Sequence, residues 1–168
     1  MITARHLTDI HQRAALAYGK GIRDVAALAG ADDREYLAGV GISPQVLFDY
    51  VEDFIRYGAP DAAAFVGVAE LRSEYFRDTL KSVAALKVVP ESALPLREEA
   101  WDGIPWLPRI AAKARCFLEG TLCTEVMYGC SGDRSFLAKF GLTLPGFLAA
   151  VKTLGDDPAK ILEFVREK

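Results

Sequence analysis

The chain has 168 residues, a length for one domain or for two small halves fused into one. Apolar residues make up 51% and charged residues 26%, so a packed core is expected and a disordered chain is excluded. A net charge of only −3 argues against a general nucleic-acid binder, which carries a basic excess or stripe.

Three cysteines, an odd number, do not form a disulfide framework. The opening MITARHLTDIHQR is amphipathic, not a charged-then-apolar leader. No run approaches the ~18 apolar residues that span a bilayer, so no membrane partner is expected. The expected compartment is the cytoplasm, with thiols reduced.

In chain order, residues 5–18 place Leu7, Ile10, Ala14 and Ala17 at three- and four-residue steps, which predicts a helix closed by Gly19 and Gly21. A shorter helix is expected in IRDVAALAG, stopped by Gly30. Asp32 and Asp33 stand where an N-cap belongs, with Glu35 completing a pattern like a capping box. The helix that follows stops at Gly41. Ser43-Pro44 opens a helix to about Tyr57 that is expected to bury Leu47, Val51, Phe54 and Ile55. The next helix is predicted from Asp61 to about Ala85, with a stripe of Phe65, Val68, Tyr75, Phe76, Leu80 and Val83.

Residues 87–104 hold two prolines and a glycine and predict an irregular connection, with an extended piece at Leu86 to Val89 and docking through Trp101. Helix resumes with Leu107, Ile110, Ala114, Phe117 and Leu118 as its buried stripe and Gly120 as its stop. A short helix is expected from Asp133 to Phe140, ended by Gly141. Thr143 caps the next, burying Phe147, Leu148, Val151 and Leu154. Asp157-Pro158 opens the last, with Ile161, Leu162 and Val165 inward.

A shift of 100 residues lays Asp33, Arg34, Leu37, Ala38, Gly41 and Val51 on Asp133, Arg134, Leu137, Ala138, Gly141 and Val151 without a gap. Leu7, Ile10 and Ala14 fall on Leu107, Ile110 and Ala114. Helix–Gly–Ser/Thr–helix patterns also arise from capping chemistry alone, so coincidence competes with duplication. A unit of ~65 residues buries only a marginal core by itself, and two copies gain by covering each other. The expected architecture is therefore all-α: one domain over 1–168, with pseudo-repeats at 1–86 and 105–168 joined by 87–104.

WLPRIAAKAR, LEGTL and MYGCSGDRSFLAKFGLT, read in that order, resemble a bacterial family known as domain of unknown function 5069. The matching residues are Leu107, Pro108, Arg109, Lys113, Ala114, Arg115, Gly120, Thr121, Leu122, Tyr128, Asp133, Phe136 and Gly141. The resemblance covers about residues 105–165 and reaches the first half only through the internal repeat. It implies a helical fold and supplies no catalytic residues.

Among chemical constellations, Cys116, Cys123 and Cys130 are spaced by seven, but intervening glycines break a common helix face and no CxxC pair is present. They read first as core residues. Cys130 is the best placed for reactivity, before a helix N-terminus and near Arg134, although no base stands nearby in sequence. Arg109 and Lys113, one turn apart, form either a solvated basic face or a clamp for a carboxylate or phosphate. The Asp-Arg pair at 33–34 recurs at 133–134, which favours a structural role: Asp as helix cap, Arg reaching across to a carbonyl or carboxylate of the neighbouring helix. His6 and His11 do not converge on one side of a helix, and no metal or cofactor is called for.

The expected function is a binding or interaction domain for a small anionic ligand or a protein partner. Its site is placed in a cleft between the halves, lined by Arg109, Lys113, Tyr128, Cys130, Asp133 and Arg134. The alternative is an enzyme on a small anionic metabolite, with Cys130 or Asp133 doing the chemistry and Arg109 orienting the substrate. A self-associating structural protein is a third reading, and the oligomeric state is left open.

Overall fold

Capping side chains set most of the helix starts. In the computed structural model, which describes residues 3–168, Thr3, Asp24, Ser43, Asp61, Thr143 and Asp157 each accept a backbone N–H from the first turn of the helix they precede. The described residues form nine α-helices, a 3-10 turn and one two-stranded ribbon. None of the helices is long and apolar enough to cross a membrane. The chain divides into two compact units, the first ending at Ala84 and the second running Ala85–Lys168. Residues 87–104 thus fall in the second unit.

The first unit contains α1 (Ala4–Gly19), α2 (Val25–Leu28), α3 (Ala31–Gly39), α4 (Pro44–Tyr57) and α5 (Ala62–Asp78). Helix α1 packs on α4 and α5, and α2 and α3 pack on α4. Leu7, Ile10, Leu47, Val51, Phe65 and Val68 are wholly buried there. Each such side chain contributes about 1.5–3 kcal/mol of burial.

In the second unit a 3-10 turn at Glu91–Ala93 leads to the ribbon of β1 (Ala100–Trp101) and β2 (Ile104–Pro105). Four helices follow: α6 (Leu107–Glu119), α7 (Ser131–Ala138), α8 (Leu144–Leu154) and α9 (Pro158–Arg166). Helix α6 is the centre of this unit. It packs against the ribbon, α8 and α9, and 10 of its 13 residues are buried.

The helical reading of the sequence holds, with local corrections. Helix α5 stops at Asp78, not near Ala85, because Lys81 and Ser82 take left-handed backbone conformations at φ 52° and 59°. Val83 is consequently exposed. Ile55 is exposed as well, since it sits one position off the buried stripe of α4. The expected helix 22–30 is a single turn, Val25–Leu28. Helix α3 starts at Ala31 behind Gly30, so Asp32 and Asp33 occupy its first turn and cap nothing. Helix α7 begins at Ser131 and ends at Ala138, earlier at both ends than expected. The stretch 87–104 anchors through Leu94, which is buried with Cys116, Cys123 and Val126, while Trp101 is only half-buried. Its extended piece makes one parallel bridge, Val89 to Leu122.

The 100-residue offset recurs in the elements. Helices α1 and α6 end at Gly19 and Glu119, α3 and α7 begin at Ala31 and Ser131, and α4 and α8 begin at Pro44 and Leu144. The turn after α3 closes with Ile42 N–H to Leu37 O at 2.8 Å, and that after α7 with Leu142 N–H to Leu137 O at 3.0 Å.

Two tests address the first unit. Gly41 has φ 77°, and a Cβ there would lie 2.6 Å from Phe76 Cγ. Gly41→Ala is expected to lower stability by about 2–5 kcal/mol in a denaturant titration. His11 is buried beside the Phe54 and Phe65 rings, and its Nε2 meets no hydrogen-bond partner among the described residues. Burial holds its imidazole below its ordinary 6.5, against a smaller opposing pull from Asp61. The unfolded chain therefore binds a proton below 6.5 that the folded chain resists. The stability from this site is complete above that pH and is lost as pH falls through the window beneath it. His11→Leu is expected to flatten the acid limb of stability against pH by up to ~1.4 kcal/mol per pH unit.

Candidate functional site

All six residues singled out from the sequence lie in the second unit, on or beside α6 and α7. Because α6 is enclosed, Arg109 and Lys113 do not form a solvated face; they are 6% and 2% exposed. Each must find partners for its charge inside the protein. Arg109 donates to Pro95 O at 2.8 Å and to Glu91 Oε1 at 2.7 Å, and so fastens the segment before the ribbon onto α6. Lys113 Nζ donates to Asp133 Oδ2 at 2.5 Å and to Cys130 Sγ at 3.3 Å.

Asp133 is fully buried, so its carboxylate is stable only if its oxygens are occupied. Oδ2 also accepts Gly129 N–H at 2.9 Å, and Oδ1 accepts Trp106 Nε1–H at 3.0 Å. Trp106 gains that position by taking φ 70° at the residue before α6 and laying its indole on Gly132. A Cβ at Gly132 would stand 2.5 Å from Trp106 Cζ2, so only glycine leaves room for the ring. Asp133 is therefore an anchor in the first turn of α7, not the cap expected from sequence.

The turn before α7 is held from two sides. Tyr128 is buried, stacks near Phe117 and donates its hydroxyl to Leu144 O at 2.8 Å. Arg134 donates Nη1–H to Gly129 O at 2.7 Å, a carbonyl of the turn just before its own helix and not one of the neighbouring helix as expected. Between these supports sits Cys130 as the N-cap residue of α7, half-buried, with no side-chain cap on the helix. Four of the six residues thus direct their polar heads to internal partners, Lys113 bridges Asp133 and the thiol, and Cys130, like Arg134, is half-buried.

The first unit supplies an internal comparison. Arg13 and Asp33 stand at the positions of Lys113 and Asp133 and pair through two bonds of 3.1 and 2.6 Å, with Arg13 half exposed. Arg34 Nη1 donates to Ala29 O at 2.7 Å, as Arg134 does to Gly129 O. Gly30 occupies the place of Cys130, and the backbone bond from the residue four ahead is 3.0 Å in both. This turn forms without a thiol, so the folding of α7 does not account for Cys130.

The other cysteines behave as core residues. Cys116 and Cys123 share an apolar cluster with Leu94 and Val126, and burial pushes the Cys116 thiol up. His6 lies against the Tyr36 ring at 4.2 Å. Among the described residues no group of three or more His, Cys, Asp or Glu converges as a metal site. Sequence reasoning missed Trp106, Gly132 and Glu91. The available signal was a tryptophan just ahead of the Lys113 helix and a glycine adjoining Asp133, but neither spacing is distinctive by itself.

No family model, curated protein or solved structure matches this chain.

The two acidic anchors differ in enclosure, and mutation is expected to separate them. Asp133→Ala strands a buried ammonium and is expected to cost about 3–5 kcal/mol in chemical denaturation. Asp33→Ala removes a partner from the half-exposed Arg13 and is expected to cost about 1 kcal/mol or less.

Proposed function

We propose that this protein is a small-molecule-binding helical domain whose reactive centre is Cys130, taking small electrophilic or anionic ligands at that thiol. The observation that carries the reading is that Cys130, a half-buried residue, receives an N–H from Lys113 on Sγ at 3.3 Å. An ammonium N–H aimed at sulfur orients the side chain, and sulfur is the nucleophile that a small electrophile meets there. Asp133 holds the ammonium in place, and Tyr128 and Arg134 hold the turn. Arg109 supports the site indirectly, by fixing α6 against Glu91 and Pro95.

Binding is favoured over turnover because both oxygens of Asp133 already accept hydrogen bonds from within the protein, so this carboxylate presents no oxygen to a bound ligand. A reducing compartment such as the cytoplasm suits three free thiols. The recurrence of the Asp–cation and Arg–carbonyl contacts at one offset supports an ancestral duplication in which the second copy acquired the thiol. Kinship with the domain of unknown function 5069 family is likewise a proposal. It rests on the run from Leu107 to Gly141 and adds no mechanism.

Alkylation by iodoacetamide at pH 7, followed by peptide mass spectrometry, tests the reading. Cys130 is expected to react about tenfold faster than free cysteine, with Cys116 and Cys123 protected and the fast phase absent in Cys130→Ser. A Cys130 rate no greater than that of free cysteine overturns it.

A further inference from the structure

We propose that Cys130 and Lys113 are joined by a reversible sulfur–nitrogen bond when a hydroperoxide oxidises the thiol, making this pair a redox modification site. The inference rests on the reactive-thiol reading above and adds to it a second reacting group, the buried amine. Two features recommend it. Nζ and Sγ lie 3.3 Å apart, within the ~3–3.5 Å separation at which reacting atoms are poised. The two residues also differ in exposure: Cys130 is half-buried, whereas Lys113 is 2% exposed and shielded from competing water.

The chemistry balances with the groups present and one hydroperoxide. The Cys130 sulfur attacks a peroxide oxygen, the O–O bond breaks, and hydrogen peroxide leaves the sulfur as a sulfenic acid with release of water. Sulfur is oxidised by two electrons and the peroxide is reduced by two. Lys113 then passes one proton from Nζ to Asp133 Oδ2, 2.5 Å away, and the freed lone pair attacks sulfur. The N–S bond forms as the S–O bond breaks, and the departing hydroxide takes a second proton from nitrogen and leaves as water. A sulfenamide and a protonated Asp133 remain.

This outcome suits the site energetically. A buried ammonium–carboxylate pair is replaced by two neutral groups, so no unpaired charge is left in the apolar interior. Gly129 N–H and Trp106 Nε1–H already point at the carboxyl oxygens and hold the neutral acid in place. An external thiol then attacks the sulfur, restores the amine and forms a mixed disulfide, which a second thiol reduces.

The test treats the folded protein with hydrogen peroxide, blocks residual thiols and maps peptides without reductant. The expected product is one species containing Lys113 and Cys130, lighter than the sum of the two reduced peptides by two hydrogen atoms and abolished by dithiothreitol. Lys113→Arg keeps a cation for Asp133, as Arg13 does for Asp33, but offers a poor nucleophile. In that variant the link is expected to vanish and Cys130 to be captured by dimedone as sulfenic acid. If wild-type Cys130 alkylates rapidly but peroxide yields only sulfinic or sulfonic acid, the link is overturned and the reactive-thiol reading stands. If Cys130 is slow toward both reagents, both fail. Persistence of the same linked species in Lys113→Arg overturns the assignment of nitrogen. The wild-type measurement decides by itself if that variant does not fold.

Discussion

The contact on which the second unit depends is the ion pair between Lys113 and Asp133, enclosed to 2% and 0% exposure. Taking both charges out of water costs several kcal/mol per ion, and the pair is tolerable only because its geometry is close and its remaining valences are filled. That requirement explains features that otherwise look unrelated. Trp106 adopts a left-handed backbone to bring its indole N–H to the carboxylate, Gly132 lacks a side chain so that the ring fits, and Gly129 turns its amide inward. The thiol of Cys130 takes another of the ammonium's hydrogens. A single buried charge pair thereby fixes the entry to α6, the turn before α7 and the placement of the sulfur.

The corresponding contact in the first unit operates under a different constraint. Arg13 is half in solvent, so its pairing with Asp33 is screened and needs no further donors. The position of Trp106 is there held by His6, which stacks on Tyr36. The place of Cys130 is taken by Gly30, which caps α3 without a side chain. Similar backbone turns thus carry a weak surface bridge in one unit and a sealed polar cluster in the other. The difference lies in how completely α1 and α6 are covered: α6 buries residues around nearly its whole circumference, whereas α1 buries one stripe.

What could be read from the chain follows the same physics. Helix positions were legible because capping residues and apolar periodicity act locally, and Ser43, Thr143 and Asp157 behave as their chemistry dictates. The end of α5 was not, since nothing in Leu80 to Val83 announces left-handed backbone at Lys81 and Ser82. Arg109 and Lys113 were legible as a cationic pair on one face, but their enclosure was not. Burial of that face is created by segments distant in sequence, Glu91 to Pro95 and Trp106 with Asp133. The Cys130–Lys113 contact spans 17 residues and a turn, a distance at which spacing arguments no longer discriminate.

The indole of Trp106 has a consequence of its own. The chain holds two tryptophans, and this one donates its ring N–H to the carboxylate that pairs with Lys113. An excited indole senses the field of a nearby charge, so the emission colour of Trp106 is tied to whether Asp133 is ionised. The protein therefore carries an internal optical gauge of that interior charge, built from its own residues and readable without any attached dye.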